Sequence, residues 1–170
     1  MFEVLVARGA GAWPARLRSR LSPAVALSQG LVLVPLTEEL EERLGPDDDG
    51  PVLGFDRLTA RIAAAAAEAS HYGPVAYLHQ ETFGGFGFEA SAVWHAGSVV
   101  FGPLFTANGE GERVTSDSIV VTDTASNAIN GALRSIGVQR GAAYDEYAAI
   151  GLDRHRTTSA WLDDPRVPRR

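Results

Sequence analysis

Residues 72–107 constrain the fold more than any other stretch, because they alternate like strands and are punctuated like hairpins. Val75, Tyr77, His79, Glu81 and Phe83 fall on one side of an extended chain, and Ala76, Leu78, Gln80 and Thr82 on the other. Gly84-Gly85-Phe86-Gly87 interrupts the run, and glycines there permit positive φ or a close backbone approach. A second strand is expected over Phe88–His95, with Phe88, Ala90, Ala92 and Trp94 on one face. Ala96-Gly97 signals a tight hairpin, and a third strand over Ser98–Thr106 follows. Pro103 has no N–H to donate, so this strand is expected to lie at an edge or to bulge near its end.

The flanking segments read as strands and helices around this core. Phe2–Ala7 and Leu31–Val34 are strand signals, and Trp13–Leu21 is a short helix with Pro14 in its first turn. Thr37 is placed to cap a helix anchored by Leu36, Leu40 and Leu44 and stopped at Gly45-Pro46. Asp56 is expected to cap a helix over Arg57–Ser70, made strong by Ala63–Ala67 and carrying a stripe of Leu58, Ile62, Ala66 and Ala69. A strand within Val114–Asp123 precedes a helix over Ser126–Ile136, opened by Asp123 or Thr124 and stopped at Gly137. A last short helix spans Tyr144–Ile150.

This order predicts an α+β fold, a mainly antiparallel sheet with covering helices in a single domain. The domain is expected to span residues 1–160, with residues 1–50 as a possible N-terminal lobe and 161–170 as a tail in which Trp161 docks.

The inventory of side chains removes several chemistries. With no Cys there is no disulfide, thiolate metal site or Cys nucleophile. All 15 basic residues are Arg, so Schiff-base, Walker-type and Ser-Lys chemistry are excluded too. The Arg, Gly and Ala content suits a GC-rich bacterial genome. No run approaches the roughly 18 apolar residues of a membrane helix, and Glu3 sits where a signal peptide needs positive charge. A cytoplasmic protein is expected. A pI of about 5.2 with scattered Arg argues against nucleic-acid binding.

Four patterns carry candidate chemistry. His79 and Glu81 share a strand face and could act as an acid/base pair, with His95 a third candidate. The His-x-Glu spacing is half of a zinc deaminase signature, but the other half needs cysteines. No His spacing among His71, His79 and His95 supports a metal site, and no cofactor is expected. The glycine loop Phe83-Gly84-Gly85-Phe86-Gly87 joins strand to strand. It therefore lacks the helix N-terminus a phosphate cradle uses, and it reads as a hairpin connection or a partner- or ligand-contacting loop. Finally, Glu38, Glu39, Glu41, Glu42, Asp47, Asp48 and Asp49 face one Arg43, so this segment holds the whole net charge of −6.

Phe83-Gly84-Gly85-Phe86-Gly87 with Ala90 and Trp94, then Ile129-Asn130-Gly131-Ala132-Leu133 with Gly137-Val138 and Gly151-Leu152, resembles a family of small bacterial proteins of unassigned activity. That family is similar in size and style to immunity proteins that neutralise toxins. Its pattern has Gln where this chain has Glu89. The resemblance covers about half the chain and implies no catalytic residues. If that Gln holds the glycine loop through its amide, Glu89 would do so only in part.

The leading expectation is a non-enzymatic protein of the immunity or inhibitor kind. Its acidic surface, Glu38–Glu42 and Asp47–Asp49, would bind a basic protein partner such as a toxin. The alternatives are a small acid/base enzyme using His79 and Glu81, and a ligand-binding module at the glycine loop. The last requires an open apolar cavity beside the glycines.

Overall fold

The alternating stretch becomes the middle of one sheet, and the rest of the chain adds to either side of it. The computed structural model describes residues 1–46, 50–83, 86–108, 119–121 and 127–166. In chain order the elements are β1 (Phe2–Arg8), α1 (Ala15–Arg20), β2 (Val25–Ala26), β3 (Leu31–Pro35), α2 (Glu38–Leu44) and α3 (Ala60–Ala69). Next come β4 (Val75–Phe83), β5 (Phe86–His95), β6 (Ser98–Asn108), β7 (Ile119–Val121), α4 (Ala128–Ser135) and α5 (Glu146–Ala149). The strands form one sheet in the order β2-β3-β1-β4-β5-β6-β7. All neighbours are antiparallel except β6 and β7, which run parallel.

β1 lies between β3 and β4, so residues 1–50 supply strands to the centre and edge of the same sheet. Both faces of β1 are covered. Leu5 and Ala7 enter the core beneath α1–α3, and Phe2, Val4 and Val6 enter the core beneath α4. Trp161, from the segment expected as a tail, is fully buried in the second core. A buried side chain of that size contributes roughly 3 kcal/mol or more.

The β4–β5 hairpin extends further than expected. Phe83 pairs with Phe86 and Thr82 with Gly87, so β5 begins at Phe86 rather than Phe88 and the connection is Gly84-Gly85. The β5–β6 turn has positive φ at both Ala96 and Gly97, the geometry of a two-residue turn whose twist matches its strands. The turn is tied to the end of α3, because Gly97 N donates to Ser70 Oγ at 2.8 Å and Ala96 N to Ser70 O at 3.0 Å.

The expected bulge at Pro103 is present: Ala92 faces two residues, Gly102 and Pro103, between the pairs Ser91–Leu104 and Val93–Phe101. Gly102 has φ of 77°, and a Cβ there would lie 2.6 Å from the Ser91 carbonyl oxygen, so only glycine fits.

Two helix starts differ from the sequence expectation. α3 begins at Ala60, and its cap is Thr59, whose hydroxyl accepts from Ile62 N, rather than Asp56. The preceding residues are held in a closed turn, with Val52 N donating to Leu58 O and Ala60 N to Gly50 O, and cannot wind into helix. α4 is capped by Asn127, whose Oδ1 accepts from Asn130 N at 2.8 Å. The expected openers Asp123 and Thr124 lie outside the described residues. Beyond α4, Gly137 at φ 84° ends the helix, and Val138 N returns to Leu133 O.

Candidate functional site

Strand alternation puts His79 and Glu81 on the sheet face covered by α1–α3. His79 Nε2 lies 3.3 Å from Glu81 Oε1. The imidazole is buried, its ring edge-on to Phe88 at 6.0 Å, while the Glu81 side chain is half exposed at 49%. Along the same face Glu3 is buried between two partners. Tyr77 Oη donates to Glu3 Oε1 at 2.8 Å and Arg57 Nε to Glu3 Oε2 at 3.1 Å. The Glu3 contact raises the Arg57 pKa, and burial, reinforced by the Glu3 charge, raises that of Tyr77. This trio fixes β1, β4 and the segment before α3 to one another.

His95 does not join His79 and Glu81. It is the exposed last residue of β5, pairing with Ser98 beside the Ala96-Gly97 turn, whereas His79 pairs with Ala90 in mid-strand. Among the described residues no three His, Asp or Glu gather into a group able to hold a metal.

The acidic segment divides in two. Glu39 pairs with Arg43 at 3.0 Å and Glu41 with Arg61 at 2.9 Å, so two of the four helical carboxylates are engaged within the chain. Arg43 also donates to the Ser22 carbonyl and Arg61 to that of Gly45, so both cations brace α2. Glu38 and Glu42 are exposed and form no ion pair with the described residues. Asp47, Asp48 and Asp49 lie outside the described residues, as do Gly84 and Gly85. Phe83, Phe86 and Gly87 are strand residues on either side of those two glycines.

The most developed polar site is on the opposite face, under α4 and α5. Gln80 sits directly across the hairpin from Glu89, which sits across from Thr106. Glu89 is 6% exposed and accepts from Asn127 Nδ2 at 3.1 Å, Ile129 N at 3.3 Å and Gln80 Nε2 at 3.4 Å. Beside it, Thr106 Oγ1 accepts from Ala128 N at 3.0 Å, and Ser91 Oγ donates to Ala128 O at 2.7 Å. Three strand side chains thus hold the first turn of α4: Glu89 and Thr106 satisfy N–H groups that a helix start leaves without partners, and Ser91 binds a carbonyl. Burial pushes the Glu89 carboxyl up to about 7, helped by the Asp145 charge and opposed by the donors from Ile129 and Gln80.

The site continues into α5. Asp145 caps α5 by accepting from Ala148 N at 2.8 Å and also accepts from Asn130 Nδ2 at 3.2 Å. Asn130 Oδ1 in turn accepts from Tyr147 N at 3.0 Å. Tyr147 packs edge-on to Phe2 and borders a cavity of about 370 Å³, lined also by Met1, Gln80, Thr82, Asp153 and Arg156. Burial raises the Tyr147 phenol, with Glu89, Asp153 and Asp145 adding to the effect and Arg156 opposing it.

Sequence reasoning noticed Glu89 only as a departure from Gln and passed over Gln80, Tyr147, Asp153 and Arg156. Counting outward from a two-residue Gly84-Gly85 turn would have paired Gln80 with Glu89. The cavity lies on their face, across the sheet from His79 and Glu81. Compared with protein-family models, curated proteins and solved structures, the chain matches none.

Proposed function

We propose that this chain is a non-enzymatic binding protein of the immunity or inhibitor kind, which docks a basic protein through α2 and the aspartates after it. The observation that carries the reading is the confinement of the net charge to residues 38–49. Arg43 and Arg61 engage Glu39 and Glu41, leaving Glu38, Glu42 and three aspartates as charge not matched by those two cations. Concentrated negative charge steers a cationic partner and speeds encounter at low salt. A toxin that grips phosphate is a partner of that character, and the resemblance of the glycine-rich motif is to proteins of the same style.

The test is affinity capture from the lysate of the source cell, at low and moderate salt. The wild type is compared with a variant carrying Glu38→Gln, Glu42→Gln, Asp47→Asn, Asp48→Asn and Asp49→Asn, which leaves both internal ion pairs intact. A basic protein held by the wild type, released by salt and lost from the variant is the expected result. Equal retention of every captured protein by the variant would refute the acidic docking surface.

A further inference from the structure

The cavity on the α4–α5 face has a chemistry that the acidic docking surface does not use. It lies across the sheet from α2, so a ligand site there is independent of whether that surface binds a protein. Its lining side chains include one carboxylate, Asp153, and one guanidinium, Arg156. Neither forms an ion pair or hydrogen bond with any described residue, and none closes between the two, although both border the same space.

Three more polar groups on the lining have capacity to spare among the described residues. Gln80 gives its amide N–H to Glu89, which orients the side chain, and its carbonyl oxygen is unengaged. The Thr82 hydroxyl and Tyr147 phenol make no hydrogen bond among the described residues. The Tyr147 ring and Met1 supply apolar surface. A volume of about 370 Å³ is in the range of small-molecule sites, and a few convergent polar groups beside apolar ones is their usual make-up.

We infer that this cavity binds a small zwitterion, an α-amino acid, whose carboxylate is taken by Arg156 and whose ammonium is taken by Asp153. A guanidinium engages a carboxylate through two parallel N–H donors, which fixes orientation as well as charge. The ammonium has three donors, and Asp153, the Gln80 carbonyl and the Thr82 hydroxyl supply acceptors for them. The Tyr147 ring faces the ligand side chain. Asp145, and Glu89 when ionised, add negative potential behind the wall, which favours the ammonium over a second anionic group. The site therefore discriminates by the pair of ligand charges rather than by either alone.

The test is titration calorimetry of the intact chain with each standard amino acid. The best binder is then compared with its amine and acid analogues; for leucine these are isoamylamine and isocaproate. Binding of an amino acid is expected, weakened at least tenfold when the ligand loses either charge. Asp153→Asn and Arg156→Gln should each cause a similar loss, and both positions are exposed, so the fold is retained. Parallel amide NMR spectra check that retention and locate the ligand at Thr82 and Tyr147. Failure of every amino acid to bind, or equal binding of the analogue lacking one charge, overturns the inference. So does binding that survives both substitutions.

Discussion

Replacing Glu89 with Gln should stabilise the protein at neutral pH and do nothing of the kind in acid. The carboxyl titrates at about 7 in the fold against an ordinary 4.5. A folded pKa above the unfolded one means that the native state holds the proton more tightly. Stability from this group is fully present below about 4.5 and is lost as pH rises through about 7. At about 1.4 kcal/mol per pH unit, ionisation costs the fold about 3 kcal/mol once the pH is near 8. Gln has the same shape and carries no charge to desolvate. Its NH2 cannot accept, so one of the bonds from Asn127, Ile129 or Gln80 is given up, costing about 1 kcal/mol. Near pH 8 the variant should gain about 2 kcal/mol, and near pH 4.5 it should lose about 1 kcal/mol. Urea unfolding across this range, followed by the fluorescence of the buried Trp13, Trp94 and Trp161, measures the difference directly. A difference that does not change with pH would show that Glu89 does not titrate in this window. A slope of opposite sign would show that the donors and the start of α4 stabilise the carboxylate by more than burial costs it.

Two further substitutions probe the frame around the site. Gly102→Ala should destabilise by about 2 kcal/mol or more in urea unfolding, because it adds a backbone clash with Ser91 to the cost of positive φ. A value below about 0.5 kcal/mol would mean that the bulge relaxes freely. Tyr77→Phe should cost about 1–3 kcal/mol, since it leaves a buried Glu3 oxygen without its donor while keeping the ring packed against Phe55. No loss in that variant would place the Glu3 stabilisation with Arg57 instead.

Where the sequence speaks through local patterns, the fold agrees with it closely. The β4 limits, the Thr37 cap of α2, the Ala96-Gly97 turn, the bulge at Pro103 and the Gly137 stop are all set by residues within a few positions of one another. Alternation also put His79 and Glu81 together. Alternation cannot say which face of a sheet carries a cavity, because that depends on distant segments crossing it. Tyr147, Asp153 and Arg156 reach Gln80 and Thr82 only through the path of the chain after α4. The first turn of α4 is likewise completed by Glu89, Ser91 and Thr106, three strand residues that no helix-capping rule would search. The parallel pairing of β7 with β6 is also a property of the connection rather than of either strand.

Two buried strand glutamates, Glu3 and Glu89, one on each face of the sheet, show how similar burial leads to different chemistry. Glu3 is 1% exposed and has a cation, Arg57, as well as the Tyr77 hydroxyl. Its negative charge is met by a positive one, and the pair closes β1, β4 and the segment before α3 into one unit. Glu89 is 6% exposed and has three neutral donors but no ion pair among the described residues. Neutral donors offset only part of the cost of removing a carboxylate from water, so the proton is retained to about pH 7. An amide at position 89 would hold α4 with most of the same bonds and none of that cost. The carboxylate differs from a Gln in placing a charge that can switch near neutral pH directly behind Gln80, one of the residues that line the cavity bordered by Asp153 and Arg156. That coincidence, rather than the burial of Glu89 alone, directs attention to this face of the sheet.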